Sequence, residues 1–397
     1  MSATITKSNA SIGLFGFGTV GEGLHLLLNN TTSVPARIRQ IVVKDREKER
    51  SLPSSQFQFE KNSILNNPTI DLVVELISNA HEAFDITARS IQEGKPIVSA
   101  NKKMIAHHLQ ELIDLQSTYA GSIYYEAAVC GSIPIIQLLE RYFQFEPIQR
   151  IRGIFNGTSN YILTRIEEDK LSFDQALKKA QELGFAESDP TSDVGGYDAL
   201  YKLIILSFHA FGSIYKPEEI LRMGIQNLTE KDIAFAKNSG RKIRLVPTAE
   251  HKNGKLLLFV LPQLIDSDDD LYTIRFETNA VELIGEHTGK QFYSGLGAGA
   301  FPTSSAVLSD VQSALNGWKY GYRKQAQQNQ LPQANDEAID VYVRCTTHSL
   351  LTSLPFTKVK EGYIDNDYRY IVGKILLSDL KKHAPSIEED GGIIIRL

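Results

Sequence analysis

A glycine-rich turn near residue 16 constrains the fold of this chain more than any other feature of the sequence. Residues 11–16 form a short apolar run, and the residues that follow, through Leu28, carry apolar side chains at helical spacing. The turn between them consists of Gly16, Phe17, Gly18, Thr19, Val20 and Gly21, which match the pattern G-x-G-x-x-G. Strand, glycine turn and helix in this order predict a dinucleotide-binding unit whose helix N-terminus binds the pyrophosphate. A tight turn without a ligand is the alternative.

Further strand and helix patterns follow at the spacing of an α/β domain. Residues 38–45, 71–76 and 95–100 are apolar runs with β-branched side chains, and a helical pattern over 81–94 separates the last two. Residues 122–129 are predicted to form another strand. Strands that alternate with helices predict a parallel sheet with helices on both faces. We therefore expect a Rossmann-type nucleotide-binding domain.

The charged residues after the second predicted strand bear on which dinucleotide binds. Asp45 can accept a hydrogen bond from the ribose 2′-hydroxyl of NAD, whereas Lys44, Arg46 and Lys48 can neutralise the 2′-phosphate of NADP. These residues slightly favour NADP over NAD. A solvated charged turn that binds neither group is the alternative.

The character of the sequence changes after residue 151 and again near residue 325. Long helical patterns and two strand patterns, 241–250 and 255–262, predict an α+β domain for catalysis and dimerisation. A polar, Gln- and Asn-rich stretch then indicates a linker. We predict a nucleotide-binding domain at 1–128 completed by about 303–325, a catalytic domain at 129–302, a linker at 326–337 and a C-terminal extension at 338–397.

Two lysines are candidates for catalysis. Lys102 directly follows the apolar run 95–100, at the carboxyl end of a predicted parallel strand, where open α/β sheets bind their ligands. Lys202 lies four residues after Asp198 on a predicted helix, and it is the only Lys, Arg, Asp or Glu from Ala199 to Gly212. A lysine on so apolar a helix is costly unless it is paired or used, although an exposed ion pair is the plainer interpretation. Four carboxylates lie shortly before Lys202 in the sequence, at Glu187, Asp189, Asp193 and Asp198.

Composition excludes several classes of protein. The net charge is −5 with scattered basic residues, so we expect no nucleic-acid or anionic membrane partner. Two cysteines, Cys130 and Cys345, rule out a disulfide framework and suit a reducing cytoplasm. The polar start of the chain and the lack of an apolar run of about 18 residues predict neither a signal peptide nor a membrane span.

Eight motifs in one order resemble those of homoserine dehydrogenases. They span about residues 11–325 and read GFGTVG, DLVVELI, ANK (100–102), YEAAVCGSIPII, NGTSNYIL, GFAESDP, the spaced pattern D-x-x-G-x-D-A-x-x-K (193–202) and GLGAGAFPTSSAVLSD. The resemblance implies NAD(P)H-dependent interconversion of L-aspartate 4-semialdehyde and L-homoserine, on the route to threonine and methionine. It also implies a homodimer or a higher homo-oligomer in the cytoplasm.

The resemblance implies roles for individual residues. Lys102 and Lys202 match the family's active-site lysines, and we expect Lys202 to be the proton donor and Lys102 its electrostatic partner, with the reverse assignment open. Glu187 and Asp198 match the carboxylates that hold the substrate's amino group. The remaining expected contacts are Asp193, Gly157 and Thr158 with the substrate, and Asn101, Lys102 and Gly299 with the nucleotide.

The resemblance further implies a monovalent-cation site, in which a glutamate and backbone carbonyls bind sodium. The matching positions are Glu126, Val129, Gly131 and Ile133. Oxygen ligands suit such an ion, and an ordinary strand-to-helix turn is the alternative.

The chain departs from the family pattern in a few places. Gly195 stands where many members have glutamate, and Cys130 and Ser132 stand where many have small residues. No kinase-like segment precedes Gly16, so we expect a monofunctional enzyme. The extension from Asp340 is expected to be either a divergent module of the regulatory ACT type or a dimer-stabilising extension.

Two other functions compete with this interpretation. Cys130 could act as the nucleophile of an aldehyde dehydrogenase, forming a thiohemiacetal. A nucleotide-binding unit joined to an interaction domain could instead be a non-catalytic sensor, because a fold does not fix a function.

Overall fold

The computed structural model describes residues 9–327, 329–365 and 367–397. The first eight residues of the predicted 1–128 domain, including most of the polar start of the chain, lie outside the described residues, as do residue 328 of the predicted linker and residue 366 of the C-terminal extension. The chain forms two compact units, one comprising residues up to Gln144 together with Leu296–Arg323, the other comprising Phe145–Gly295 and Lys324–Leu397. Within the described ranges, no helix combines the length and apolar character needed to cross a membrane.

The described strands and helices are named here in chain order. The strands are β1 (Ala10–Phe15), β2 (Ala36–Val42), β3 (Phe57–Gln58), β4 (Leu72–Glu75), β5 (Ile97–Ser99), β6 (Ile123–Tyr124), β7 (Ile148–Ile154), β8 (Leu221–Arg222), β9 (Lys242–Lys252), β10 (Lys255–Ile265), β11 (Thr278–Gly285), β12 (Gly289–Leu296), β13 (Ala338–Arg344), β14 (Lys358–Ile364), β15 (Arg369–Leu376) and β16 (Ile393–Arg396). The helices are α1 (Thr19–Asn30), α2 (Asn62–Leu65), α3 (Ala80–Gln92), α4 (Lys102–Thr118), α5 (Ile135–Gln137), α6 (Gly157–Asp169), α7 (Phe173–Glu182), α8 (Thr191–Val194), α9 (Tyr197–Phe211), α10 (Glu230–Asn238), α11 (Ala300–Leu315), α12 (Arg323–Gln327), α13 (His348–Ser353) and α14 (Leu377–Glu389).

The first unit contains a six-stranded sheet in the order β3-β2-β1-β4-β5-β6. All of its strand pairs are parallel. Strands β1, β4, β5 and β6 are wholly buried, which explains their apolar sequences, whereas β2 and β3 toward the edge are partly exposed. The sheet confirms the predicted α/β class and brings the carboxyl ends of β1, β4 and β5 to one edge.

Helix α11 returns to the first unit and completes its core. Val307 and Val311 pack in the same buried cluster as Leu24 and Leu28 of α1. The Ser304 hydroxyl donates a hydrogen bond to the Val20 carbonyl at 2.8 Å. The returning segment runs from Leu296 to Arg323, whereas the sequence placed its start near residue 303.

The first unit also extends further than the predicted boundary at residue 128. The expected strand over 122–129 is short, because only Ile123 and Tyr124 pair with β5. A 3-10 turn at Glu126–Ala128 follows, and the Asp310 carboxylate accepts a hydrogen bond from the Glu126 N–H at 2.8 Å. Such a bond draws the chain away from the sheet edge, and the unit then continues to Gln144.

The second unit contains a ten-stranded mixed sheet. Its order is β12-β11-β7-β9-β10-β16-β13-β15-β14, and β8 pairs with β10 beside it. The central pairs β11–β7, β7–β9 and β9–β10 are antiparallel. Helices α6 and α9 pack against these strands. The α+β character predicted for the second domain is therefore observed.

The C-terminal extension is a βαββαβ segment within the sheet of the second unit. Its strands lie in the order β16-β13-β15-β14, the arrangement of a split βαβ fold. Strand β16 also pairs with β10, through Gln263 and Arg396. The described part of the predicted linker lies against β10 as well, because the Leu256 N–H donates to the Pro332 carbonyl and the Ala334 N–H donates to the Leu256 carbonyl.

Candidate active site

The glycine turn of the first unit has the geometry of a phosphate-binding loop. Gly16 adopts a φ of +91°, and a Cβ atom there would lie 2.7 Å from the Leu76 carbonyl oxygen. A Cβ on Gly21 would lie 2.6 Å from the Gly16 oxygen, so helix and strand pack too closely for a side chain. Gly18 precedes α1, offers no side-chain cap to it and faces open space. The first turn of α1, which begins at the exposed Thr19, can therefore donate N–H groups to an anion.

Phe17 of this turn serves the core. Its ring is buried and meets Phe57 edge to face, with the ring centroids 5.4 Å apart. The side chain therefore anchors the turn, and only the backbone of this residue is placed to meet a ligand.

A cavity lined by charged and aromatic side chains lies after β2. The Asp45 carboxylate accepts hydrogen bonds from the backbone N–H groups of Glu47 and Lys48, at 2.9 and 3.2 Å. The guanidinium groups of Arg46 and Arg50 lie over the rings of Phe59 and Phe57. Residues 46–50, with Leu52, Ser54, Phe57 and Phe59, line a cavity of about 350 Å³. The sequence did not predict Arg50, and Lys44 is exposed nearby in the chain without lining this cavity.

Asn101 and Lys102 lie at the start of α4, at the carboxyl end of β5. The Asn101 side chain caps the helix by accepting a hydrogen bond from the Met104 N–H at 2.9 Å. Its amide group donates to the Ile77 carbonyl at 3.0 Å, which joins the turn after β5 to the turn after β4. Lys102 is the first residue of α4 and is half-buried.

Glu75 lies beneath this turn, and the sequence did not predict it as a site residue. Its carboxylate accepts hydrogen bonds from the Ile77 N–H at 2.6 Å and the Ser99 hydroxyl at 2.5 Å. Burial raises the pKa of Glu75 to about 7. A signal was present in the sequence, because Glu75 is the acidic residue that ends the apolar strand LVVE.

Gly299 begins α11 in the same unit. It adopts a φ of +120° and is exposed, and it provides no side-chain cap for the helix. A left-handed conformation of this kind favours glycine. Because α11 packs along α1, the late glycine loop belongs to the unit that carries the phosphate-binding turn.

Glu126 is buried, and its carboxylate is fully engaged by protein. Its two oxygens accept hydrogen bonds from the Ile136 and Gln137 N–H groups at 2.9 and 2.7 Å, and burial raises its pKa to about 8. The carbonyls of Val129 and Gly131 accept no hydrogen bond from any residue the structure describes, whereas the Ile133 carbonyl accepts one from Ile135. At this turn the Val129 and Gly131 carbonyls are thus left without a donor from the described residues, whereas the Glu126 carboxylate is taken by backbone N–H groups. Among the described residues, no group of three His, Cys, Asp or Glu side chains could hold a metal ion.

Cys130 is unsuited to nucleophilic attack. It is completely buried and adopts a left-handed φ of 53° in the turn before Gly131. Ser132 beside it donates hydrogen bonds from its N–H and its hydroxyl to the Leu296 carbonyl. These two departures from the family pattern are accommodated as parts of a packed turn.

Lys202 is buried on α9 in the second unit. Its ammonium group lies 2.7 Å from an Asp198 carboxylate oxygen, one helical turn earlier, and donates a hydrogen bond to the Phe155 carbonyl at 2.7 Å. Helix α9 is buried from Asp198 to Phe211, which is why its sequence carries so few charges. The predicted pairing of Asp198 with Lys202 on one helix face is present.

Asn156 links the two neighbouring carboxylates, and the sequence did not assign it a role. Its amide group donates hydrogen bonds to Asp193 at 2.7 Å and to Asp198 at 2.9 Å, while its oxygen caps α6 by accepting from the Ser159 N–H. Its position in the motif NGTSNYIL, directly before a predicted helix, was the available signal.

The residues after Asn156 shape the same end of the second unit. A Cβ on Gly157 would lie 2.6 Å from the Glu277 carbonyl oxygen, so the helix packs there at backbone distance. The Thr158 hydroxyl donates a hydrogen bond to the Phe185 carbonyl at 2.6 Å. Thr158 therefore ties α6 to the loop that leads to Glu187.

Glu187 does not join this cluster. It is exposed, and its backbone carbonyl accepts a hydrogen bond from the Gln181 side-chain amide at 3.1 Å. The Asp189 carboxylate is also taken up locally, because it accepts from the N–H and hydroxyl of Thr191. The structure thus groups Asn156, Asp193, Asp198 and Lys202, and it leaves Glu187 at the surface.

A parallel sheet with a glycine phosphate-binding turn and a buried lysine–carboxylate pair define an NAD(P)-dependent dehydrogenase. Comparison with known proteins gives the family. The family model "Homoserine dehydrogenase, NAD binding domain" matches residues 16–126, and the model "Homoserine dehydrogenase" matches residues 134–312. The chain belongs to the homoserine dehydrogenase family, whose members are NAD(P)-dependent oxidoreductases that act on a CH–OH group.

Individual relatives support this assignment. The homoserine dehydrogenase of Bacillus subtilis is 34% identical over 319 residues, which cover 78% of this chain and 74% of the relative. The crystal structure of a homoserine dehydrogenase from Thiobacillus denitrificans is 29% identical, covers 98% of both chains and has a TM-score of 0.84. A hyperthermophilic archaeal homoserine dehydrogenase in complex with NADPH is 27% identical, covers 77% of this chain and 97% of its own, and has a TM-score of 0.65. The predicted family and activity are confirmed, and the sensor and Cys130-dependent alternatives are set aside.

Proposed function

We propose that this homoserine dehydrogenase reduces L-aspartate 4-semialdehyde to L-homoserine, with Lys202 as the proton donor. The observation that carries the proposal is the buried Lys202–Asp198 pair at the start of α9. The nicotinamide, when bound, supplies the hydride that reaches the aldehyde carbon. This chain's residues then have to stabilise and protonate the oxygen on which negative charge develops.

Lys202 suits the proton transfer. An ammonium group has three donors, of which one bonds to Asp198 and one to the Phe155 carbonyl. The third N–H can be directed at the substrate oxygen and can donate its proton as the alkoxide forms. The neutral amine that results is then reprotonated from solvent. In the reverse direction, the neutral amine accepts the hydroxyl proton of homoserine.

The neighbouring carboxylates suit the amino group of the substrate. Asp193 and Asp198 are held by one amide, that of Asn156, so the polar cluster is fixed before a ligand arrives. An ammonium group of a substrate can pair with Asp193 while Asp198 holds Lys202. Glu187 would have to turn inward on binding to serve as a second amino-group ligand, and Gly157 and Thr158 would line the same end of the unit.

Lys102 is proposed as the electrostatic partner of Lys202 in the reaction. Its position at the carboxyl end of β5 is one at which open α/β sheets bind ligands. A second positive charge at the reacting oxygen would stabilise the alkoxide without itself giving up a proton.

The test is a direct assay. Purified protein is mixed with L-aspartate 4-semialdehyde and either NADPH or NADH, and the loss of reduced-nicotinamide absorbance is followed. Lys202→Ala is expected to lower kcat by ~10²–10⁴-fold while the protein still binds NADPH. Near-normal turnover in that variant would overturn the proton-donor role, and the same result for Lys102→Ala would overturn its role as partner.

NADP is proposed as the preferred dinucleotide. The Asp45 carboxylate accepts hydrogen bonds within its own turn, whereas Arg46 and Lys48 line the cavity after β2. Arg50 also lines this cavity, with its guanidinium donating to the Lys48 and Asp45 carbonyls. Glu47 and Glu49 lie beside it. The NADPH complex of the archaeal relative agrees with this preference. Arg46→Ala is expected to raise the KM for NADPH by about tenfold and to leave that for NADH unchanged, and equal effects on both would contradict a contact of Arg46 with the 2′-phosphate.

A monovalent cation bound at the turn before α5 and assembly into a homodimer are also proposed. Val129 and Gly131 would hold the ion through their carbonyls and so stiffen the turn before α5. A melting temperature that is the same in sodium and in tetramethylammonium chloride would argue against the ion.

Light scattering at assay concentration tests the dimer. A smaller particle after deletion of 338–397 would favour a dimer-stabilising extension over an ACT-like module.

A further inference from the structure

Glu75 is a buried carboxylate that the reaction proposed above does not use. It is completely buried at the end of β4, and no Lys, Arg or His of the described chain forms an ion pair with it. Burying a carboxylate with only neutral donors is costly, so a fold tolerates it where the carboxylate has a task. Its location, at the sheet edge where ligands bind, suggests what the task is.

The hydrogen bonds of Glu75 close a ring around the turns after β4 and β5. One carboxylate oxygen accepts from the Ile77 N–H and the other from the Ser99 hydroxyl. The Ser99 oxygen accepts in turn from the Asn101 N–H at 3.1 Å, and the Asn101 amide returns to the Ile77 carbonyl. The links in this ring are 2.5–3.1 Å long and buried or part-buried, so the two turns are fixed relative to each other.

Lys102 directly follows Asn101, the last residue of this hydrogen-bonded ring in the sequence. Asn101 caps α4 through the Met104 N–H, and Lys102 is the residue between the cap and the rest of the helix. The direction in which Lys102 leaves the sheet therefore depends on where Asn101 sits, and Asn101 is held by Ser99 and Ile77. A misplacement of about 1 Å at a catalytic group can cost ~10²-fold in rate.

We propose that Glu75 is a positioning residue for Lys102, acting through the Ser99 hydroxyl and the Asn101 cap. The proposal rests on the catalytic role proposed for Lys102 and deepens it. Glu75 needs no contact with substrate or nucleotide for this role. It provides two acceptor oxygens at a point where two backbone turns each present a donor.

Ser99→Ala and Ser90→Ala are a matched pair of variants for the test. Both serines are buried in the first unit, but the Ser90 hydroxyl donates only to the Ile86 carbonyl within α3. Ser99→Ala removes the link between Glu75 and Asn101. We expect it to lower kcat by about tenfold with unchanged NADPH affinity, measured by nucleotide fluorescence, whereas Ser90→Ala keeps wild-type kcat. Equal kcat in the two variants would overturn the proposal.

A double-mutant cycle with Lys102→Ala separates positioning from general stability. If Ser99 acts through Lys102, Ser99→Ala has no further effect on kcat once Lys102 is absent. If both single variants are impaired and their effects multiply, the positioning role is wrong and the proposed role of Lys102 stands. If Lys102→Ala alone keeps normal kcat, the proposed function of Lys102 fails, and the positioning role fails with it.

Two variants of Glu75 test whether its hydrogen bonds, rather than its charge, are needed for kcat. Glu75→Gln keeps an acceptor for Ile77 and an amide that can donate to the Ser99 oxygen, so the ring can still close. We expect its kcat to stay within about threefold of wild type, and that of Glu75→Leu to fall by ~10²-fold. Should Glu75→Leu fail to fold, the serine pair and the cycle decide. Equal losses in folded Gln and Leu variants would contradict positioning by hydrogen bonds.

Discussion

Two ion pairs in the second unit share one spacing and differ in burial. Asp198 and Lys202 on α9 lie four residues apart with charged atoms 2.7 Å from each other, and Arg165 and Asp169 on α6 lie four apart at 3.0 Å. The side chains are 3% and 10% exposed in the first pair, and 29% and 35% in the second. Spacing alone therefore does not distinguish a buried pair from a surface pair. The apolar residues around Lys202 made the distinction in the sequence.

Breaking the buried pair should have the largest effect. Lys202→Met leaves the Asp198 carboxylate buried without its cation, so the free energy of unfolding should fall by about 3–5 kcal/mol. Denaturant unfolding of both proteins at pH 7 measures this. Adding Asp198→Asn should restore most of the stability but none of the turnover. A Lys202→Met variant as stable as wild type would show that solvent reaches the pair.

Glu75 extends the comparison to a buried carboxylate without a cation. Its folded pKa of about 7 lies above the ordinary 4.5, so the folded protein binds this proton more tightly than the unfolded chain. The contribution of this proton to the free energy of unfolding is therefore complete below about pH 4.5. About 3 kcal/mol of it is lost as the pH rises to 7. Unfolding of wild type and Glu75→Gln at pH 5 and pH 8 isolates this loss, because the variant lacks it. A stability difference that is independent of pH would contradict the raised pKa.

Removing the neutral link of the cluster should have a smaller effect. Asn156→Ala leaves Asp193 and Asp198 without their shared donor and α6 without its cap, at a cost of about 1–3 kcal/mol. The KM for the amino acid substrate should rise as well. Ser172→Ala, which removes only the cap of α7, is the control and should leave KM unchanged. A KM that is unchanged in Asn156→Ala would separate Asn156 from the substrate site.

The surface pair should give the smallest effect. Asp169→Asn removes the partner of Arg165, yet stability should change by less than about 0.5 kcal/mol, because exposed pairs contribute little. Asp169 also lies at the C-terminal end of α6, where a negative charge is unfavourable. Thermal unfolding at low and high salt checks this. A loss as large as that from Lys202→Met would remove burial as the explanation of the difference.

Local patterns predicted the fold class and the elements that carry the candidate site. The glycine turn, the buried helix with Lys202 and the strand end with Lys102 are each encoded by consecutive residues. Bonds between distant residues could not be predicted in this way. Ser99 meets Glu75 across 24 residues, and Glu126 meets Asp310 across 184, which shortened the strand expected at 122–129.

Two candidate residues show the limits of reading a side chain's role from its position in a motif. Glu187 lies in the motif GFAESDP but is exposed, away from the Asn156 cluster. Glu126 lies in the motif expected to hold sodium, yet its carboxylate accepts hydrogen bonds from α5. Burial and competing backbone donors decide where such a carboxylate points, and neither is visible in one sequence. Both roles therefore stay predictions.

The return of α11 to the first unit has a consequence for how the protein is made. Val307 and Val311 complete the core around Leu24 and Leu28, but the ribosome synthesises them only after the whole segment Phe145–Gly295. The surface of the nascent nucleotide-binding unit that α11 later covers therefore stays exposed to solvent while the inserted segment is synthesised and folds. Chaperone demand during translation should be greatest in that interval, and pausing the ribosome before codon 300 should expose the incomplete unit to protease.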